Sequence, residues 1–182
     1  MQKFATLFLV VAVYTLMTLV LSSDIAFASP RLPGGTLDLH GQLADTSTGE
    51  VYGFELHADE DPNTAGVGGM FFALGGPNLG VCDAHGPGAD PGTNPFAGFE
   101  CGGSANVSVR IDGCNAKMET HGFVHSDHPN TVYFGSATLN ITYHRNAGDA
   151  DGRLSVIVYT PKKPIRLNGK VSADHLDMET CP

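Results

Sequence analysis

The chain has 182 residues, ten Lys and Arg against nineteen Asp and Glu, a net charge of −9, and no Trp. Such a surface repels phosphate backbones and anionic lipid, so composition argues against nucleic-acid and membrane-surface binding and makes cations the natural counter-partners. The same excess of acid also serves solubility alone.

Residues 1–28 read as a secretory signal peptide. Lys3 precedes an apolar run from Phe4 to Leu21, and Ala26-Phe27-Ala28 offers a small-x-small cleavage site before Ser29. The run is at the lower edge of bilayer-spanning length, which leaves an uncleaved anchor as the competing reading. Thr6, Tyr14, Thr15 and Thr18 dilute it. Cleavage removes Lys3 and Asp24 and keeps the net charge at −9. Residues 29–182 then form one secreted or periplasmic domain, long enough to bury a core.

The mature part alternates with period two, the mark of strands with one buried and one wet face. Leu37, Leu39 and Leu43 alternate with Asp38, His40 and Gln42, and Tyr52, Phe54 and Leu56 with Gly53, Glu55 and His57. Residues 45–49, Asp-Thr-Ser-Thr-Gly, turn the chain between these two runs. Gly68–Leu74 is a weaker strand candidate. The stretch 75–103 is rich in Gly and Pro, contains Cys82 and Cys101, and reads as a long loop. Rigid sheets often present recognition on such loops. Val107, Val109 and Ile111 resume the alternation, followed by a blurred strand over Lys117–His125. Then come Leu139, Ile141 and Tyr143, next Leu154, Val156 and Val158, and last Ile165, Leu167 and Val171. About eight strands at this spacing predict a single-domain antiparallel sandwich of jelly-roll or Greek-key kind, with a closed β-barrel as the alternative.

An even number of cysteines in an exported chain predicts disulfides. Of the three possible pairings the favoured one joins Cys82 to Cys101, closing the Gly/Pro-rich stretch, and Cys114 to Cys181, pinning the C-terminus to a strand. No Cys-x-x-Cys occurs, so a zinc–thiolate site has no sequence support.

Four residues form the candidate metal site. His121, His125, Asp127 and His128 gather around a strand end, with His125, Asp127 and His128 placed at a turn, and supply nitrogen and oxygen donors for a divalent metal. Residues four apart on a strand stand about 13 Å apart, so His121 and His125 share a metal only if the strand bends, for which Gly122 offers a site. The competing reading is a set of exposed polar hairpin residues. The acidic groups Asp59-Glu60-Asp61 and Asp149-Ala150-Asp151-Gly152 resemble pieces of a calcium loop, but the late Glu is missing, and a solvated turn explains them better. No Gly-x-Ser-x-Gly and no phosphate-cradling Gly loop occurs. Asn106-Val-Ser108 and Asn140-Ile-Thr142 are glycosylation acceptors if the source is eukaryotic. Among the aromatics, Tyr159 falls off the buried face of its strand and is the best candidate for an exposed sugar platform.

These readings predict an exported, disulfide-stabilised β-domain acting as a non-enzymatic binding or structural module. Its partner would be a protein, a glycan or a small molecule. Recognition is expected on 75–103. Two other readings stay open: a metal-binding protein or metal-dependent enzyme using the histidine cluster, and a β-barrel carrier of a small apolar ligand.

Overall fold

The computed structural model of the chain describes residues 35–61, 66–85, 94–98, 100–102, 107–112, 114–146 and 148–172. The predicted leader, Asn106 and Cys181 lie outside the described residues. Among those described the protein is all-β. Its strands are β1 (Thr36–Asp45), β2 (Val51–Glu60), β3 (Gly68–Gly75), β4 (Leu79–His85), β5 (Ser108–Asp112), β6 (Asn115–His128), β7 (Thr131–His144), β8 (Asp151–Tyr159) and β9 (Pro164–Ser172).

Of the two expected architectures, the closed barrel is the one observed. The strands pair in the order β4-β3-β2-β1-β9-β8-β7-β6, and a β4–β6 ladder closes the ring into eight antiparallel strands. Sequential hairpins build most of it, which is a meander with no Greek-key crossing. The ninth strand, β5, pairs Ser108–Asp112 with Glu119–Asn115, while β4 takes Phe123–Ser126 of the same β6 edge. Glu60 at the end of β2 accepts the Ile111 amide at 2.6 Å, tying β5 to β2.

Closure carries a large stagger. Phe134 pairs with His125, His125 with Gly80, Gly80 with Gly75, Gly75 with Gly53 and Gly53 with Gln42. Continuing the Ala44–Asn168 register brings Gln42 to Lys170, then Arg153 and His144. One circuit therefore returns to β7 ten residues beyond its start. Such a shear tilts the strands, and eight of them leave an interior that side chains can fill.

The predicted alternation sets the filling. Leu37, Leu39, Leu43, Tyr52, Phe54, Leu56, Leu139, Ile141, Leu154, Val156, Ile165 and Leu167 all point inward and are buried. A transmembrane barrel has the opposite polarity, with an apolar outer face. Here Lys117, Glu119, Thr142, Arg153, Arg166 and Asn168 occupy the outside.

β4 is the element the sequence reading placed in a loop. Only Leu79 and Val81 mark its inner face; the next inward position is Asp83, and Gly80 and Cys82 lie outside. Two apolar positions followed by a carboxylate give no usable period, so the strand was hidden in the Gly/Pro-rich stretch. Barrel closure by β4 against β6 overrides that weak local signal.

Candidate functional site

The barrel has one latched end, one interior carboxyl and an outer wall with exposed apolar side chains. The first involves His128. On β6 the side chains alternate without a break, so His121, His125 and Asp127 face out while His128 faces in. The strand runs through His128, and only Pro129 and Asn130 form the turn. The turn expected around His125, Asp127 and His128 thus comes later, after His128. His121 Nδ1 meets Thr138 Oγ1 at 3.0 Å. His125 lies edge-on to the Phe134 ring at 5.7 Å. His128 Nε2 meets Asp45 Oδ2 at 2.9 Å. The structure does not bring the four predicted ligands to one point. Among the described residues no three His, Cys, Asp or Glu side chains are placed to hold a metal ion.

Asp45 ends β1 on the opposite side of the barrel mouth. Its Oδ1 accepts the Ser47 amide and hydroxyl, each at 2.6 Å, and the Thr48 amide at 3.1 Å. Burial alone would push this carboxyl up. The Ser47 and Thr48 hydrogen bonds and the nearby His128 outweigh it and hold the group below its ordinary value. Gly49, with φ of +77°, lets the turn close in a conformation that L side chains rarely adopt. Beside this pair, the Tyr52 hydroxyl donates to Glu50 at 2.8 Å, and the Asn78 amide donates to the same carboxylate. Burial, then Glu50, push the Tyr52 phenol well above its usual range. Asn78 O in turn accepts the Asp127 amide at 2.9 Å. The β1–β2, β3–β4 and β6–β7 turns are thereby stitched across one barrel mouth. Two buried polar atoms here, His128 Nδ1 and Thr131 Oγ1, have no hydrogen-bond partner.

The second feature is Asp83, fully buried inside the barrel. Thr120 Oγ1 donates to Oδ2, and Oδ1 has no partner. Burial pushes this carboxyl up to about 6 despite the Thr120 hydrogen bond. Asp83 occupies the fork where β6 leaves β4 and takes up β5. A Cβ on Gly122 would come within 2.8 Å of the Asp83 Cβ and 2.9 Å of the Cys82 carbonyl. Gly122 is therefore a packing requirement at the fork, and β6 keeps an unbroken register with β7 through it, with no bulge between His121 and His125.

The outer wall is the third feature. β8 pairs with β7 only over Thr138–His144, so among the described residues no strand pairs with Thr131–Ala137 of β7 on that edge. Two exposed apolar side chains stand there, Val132 at 72% and Phe134 at 60%. Phe134 packs edge-on against Phe123 at 5.8 Å as well as against His125. Phe123, His125, Val132 and Phe134 form one aromatic and apolar patch on β6 and β7. Sequence reading missed it because Val132 and Phe134 lie on the wet face of a strand whose periodicity starts only at Leu139.

The Gly/Pro-rich stretch, expected to be a disulfide-closed recognition loop, packs against the wall where it is described. Cys82 and Cys101 are disulfide-bonded, as predicted. Cys114 also forms a disulfide, and its predicted partner Cys181 lies outside the described residues. Asn94 is buried, and its amide donates to Leu74 O at 2.9 Å and Val81 O at 2.7 Å. Its Oδ1 accepts the Phe96 and Ala97 amides. The Phe96 ring covers Gly53, whose missing side chain leaves that space. Residues 94–97 are therefore docked on β2, β3 and β4.

The remaining predicted residues separate. Asp59 pairs with His57, whereas Glu60 turns toward β5. Asp149 accepts from Asn146, and Asp151 pairs with Lys170. Asn140 is half-buried on the outer face of β7. His57 was not singled out from sequence: it lies between Asp38 and Asp59. Partial burial would lower its pKa, but the Asp38 hydrogen bond and the two carboxylates raise it. No family model matches the chain, and neither a curated protein nor a solved structure shows significant similarity to it.

Proposed function

We propose that the protein is an exported, non-enzymatic binding module that uses its barrel as a rigid support and its outer wall for recognition. The observation that carries this reading is the exposed patch of Phe123, His125, Val132 and Phe134, beside a strand segment with one edge unpaired among the described residues. Contiguous apolar surface of this kind marks protein contact sites, and an unpaired edge offers main-chain donors and acceptors to an extended partner segment. Export is supported by the leader pattern and by the disulfides, which suit an oxidising compartment. The interior supports a structural role: Tyr52, Tyr143, Phe54 and Phe72 are among its largest fully buried side chains. That filling weighs against the apolar-carrier reading. The separation of His128 from His121, His125 and Asp127 weighs against the metal reading.

The test is photo-crosslinking on the native cell surface or secretion medium, with the photoreactive residue at position 134 and, as a control, at Glu55 on the opposite wall. A discrete partner captured from 134 only, and lost on Val132→Lys, supports the reading. Equal capture from both positions, or capture unaffected by Val132→Lys, removes this patch as the recognition surface.

A further inference from the structure

The acidic protein carries one cationic wall. Six of its ten Lys and Arg fall between Arg145 and Lys170, where Asp149 and Asp151 are the only acids. On the outer faces of β8 and β9, Arg153 pairs across the strands with Lys170, Ser155 with Asn168, Ile157 with Arg166, and Tyr159 with Pro164. Two cations directly opposite each other destabilise a sheet in isolation. Asp151 offsets one of them by pairing with Lys170. Arg153 and Arg166 have no ion-pair partner among the described residues. Against these rungs lies an open depression of about 460 Å³ lined by Arg153, Leu154, Ser155, Asn168, Gly169 and Lys170. Arg166 is two residues beyond Asn168 on the same face, ~7 Å further along the strand. Tyr159, 41% exposed, ends the row.

We propose that this wall binds an acidic oligosaccharide, with its carboxylate or sulfate groups on Arg153 and Arg166. Guanidinium forks match planar and tetrahedral oxyanions in bidentate geometry. Ser155 and Asn168 supply donors and acceptors for hydroxyl groups, and the Tyr159 ring offers an apolar face to a sugar ring. Screening decides the size of the ligand. At physiological salt the Debye length is about 8 Å, so a short ligand feels the local cations and not the net charge of the whole protein. A long duplex, with a charge every ~1.7 Å, would also lie against the acidic faces and be repelled. The row ends at Tyr159, opposite Thr138 and four residues along β7 from Phe134, but its cations are a separate observation and the proposal stands independently of the function proposed above.

The test is calorimetric and NMR titration of the disulfide-intact protein with four probes of equal length. These are a heparin-derived hexasaccharide, a hexagalacturonate, neutral maltohexaose and a single-stranded hexanucleotide. Binding of at least one acidic sugar is expected, with amide shifts at Ser155 and Asn168 and affinity that weakens as salt rises. Arg153→Gln with Arg166→Gln should weaken it about tenfold or more, with an unchanged circular dichroism spectrum. Tyr159→Ala should weaken it without altering the salt dependence. A preference between sulfate and carboxylate identifies the anion. No binding of either acidic sugar, equal binding by the double variant, or equal or tighter binding of maltohexaose or the hexanucleotide would overturn the proposal.

Discussion

His128 and Asp45 meet at 2.9 Å across the barrel mouth, 83 residues apart in sequence and both buried. The contact fastens the tip of the β6–β7 hairpin to the β1–β2 turn. Removing one partner leaves a buried polar group short of a hydrogen bond, at a cost of about 1–3 kcal/mol. His128→Ala and Asp45→Ala should each lower stability by that order in urea unfolding. Asp45→Ala also removes the Ser47 and Thr48 bonds and should cost the more, and the double variant should lose little more than Asp45→Ala alone, because both changes remove the His128 contact. Additive losses would show that the two side chains act separately.

Asp83 makes stability fall as pH rises. Its folded-state value of about 6 lies above the ordinary 3.8, so the folded state binds more protons between those values. Ionisation inside the barrel then costs about 3 kcal/mol in full above pH 6. Unfolding free energy measured from pH 4 to 7 should drop through this window in the wild type. Asp83→Asn should flatten the drop and be the more stable protein at pH 7. An unchanged profile would place the titration elsewhere.

Asp45 has the opposite sign. Its folded-state pKa is depressed, so its contribution is present above 3.8 and is lost as pH falls through the lower folded value. Acid unfolding of Asp45→Asn should therefore begin from a lower plateau and show a shallower loss below pH 4 than the wild type.

At the surface, His57 should titrate above an ordinary histidine, because Asp38 and Asp59 favour its charged form. Asp38→Asn should bring the value down in an NMR titration of the ring protons. A native value at or below 6.5 would mean that burial outweighs the two carboxylates.

Docking of residues 94–97 should be structural. Asn94→Ala leaves the carbonyls of Leu74 and Val81 without its donors and should cost about 1–3 kcal/mol. Reducing the Cys82–Cys101 disulfide, which spans 19 residues, should cost about 3 kcal/mol on chain-entropy grounds. Chemical denaturation of each form checks both. Losses near zero would return this stretch to the role of a free loop.

The sequence reading found the strands whose inner positions are all apolar, such as Leu139, Ile141 and Tyr143. It found the Cys82–Cys101 closure because two cysteines bracket one Gly/Pro-rich stretch. It lost β4, where Asp83 interrupts the inner row. It also placed His125, Asp127 and His128 in one cluster, since spacing along the chain does not tell which face a residue takes until the strand's end is known. The Phe134 patch and the Arg153–Arg166 wall were illegible for a different reason. Each is assembled from neighbouring strands whose register must be known first.

Local alternation by itself determined an antiparallel all-β domain and most of its buried face, because a period of two places every second side chain on one side whatever the neighbours are. Only the tertiary structure decided that the sheet closes into a barrel. Closure depends on the β4–β6 and β1–β9 ladders, which join segments far apart in the chain. Those ladders carry His128 to Asp45 and put Asp83 inside. They leave Val132, Phe134, Arg153 and Arg166 on the wall, where a partner can reach them.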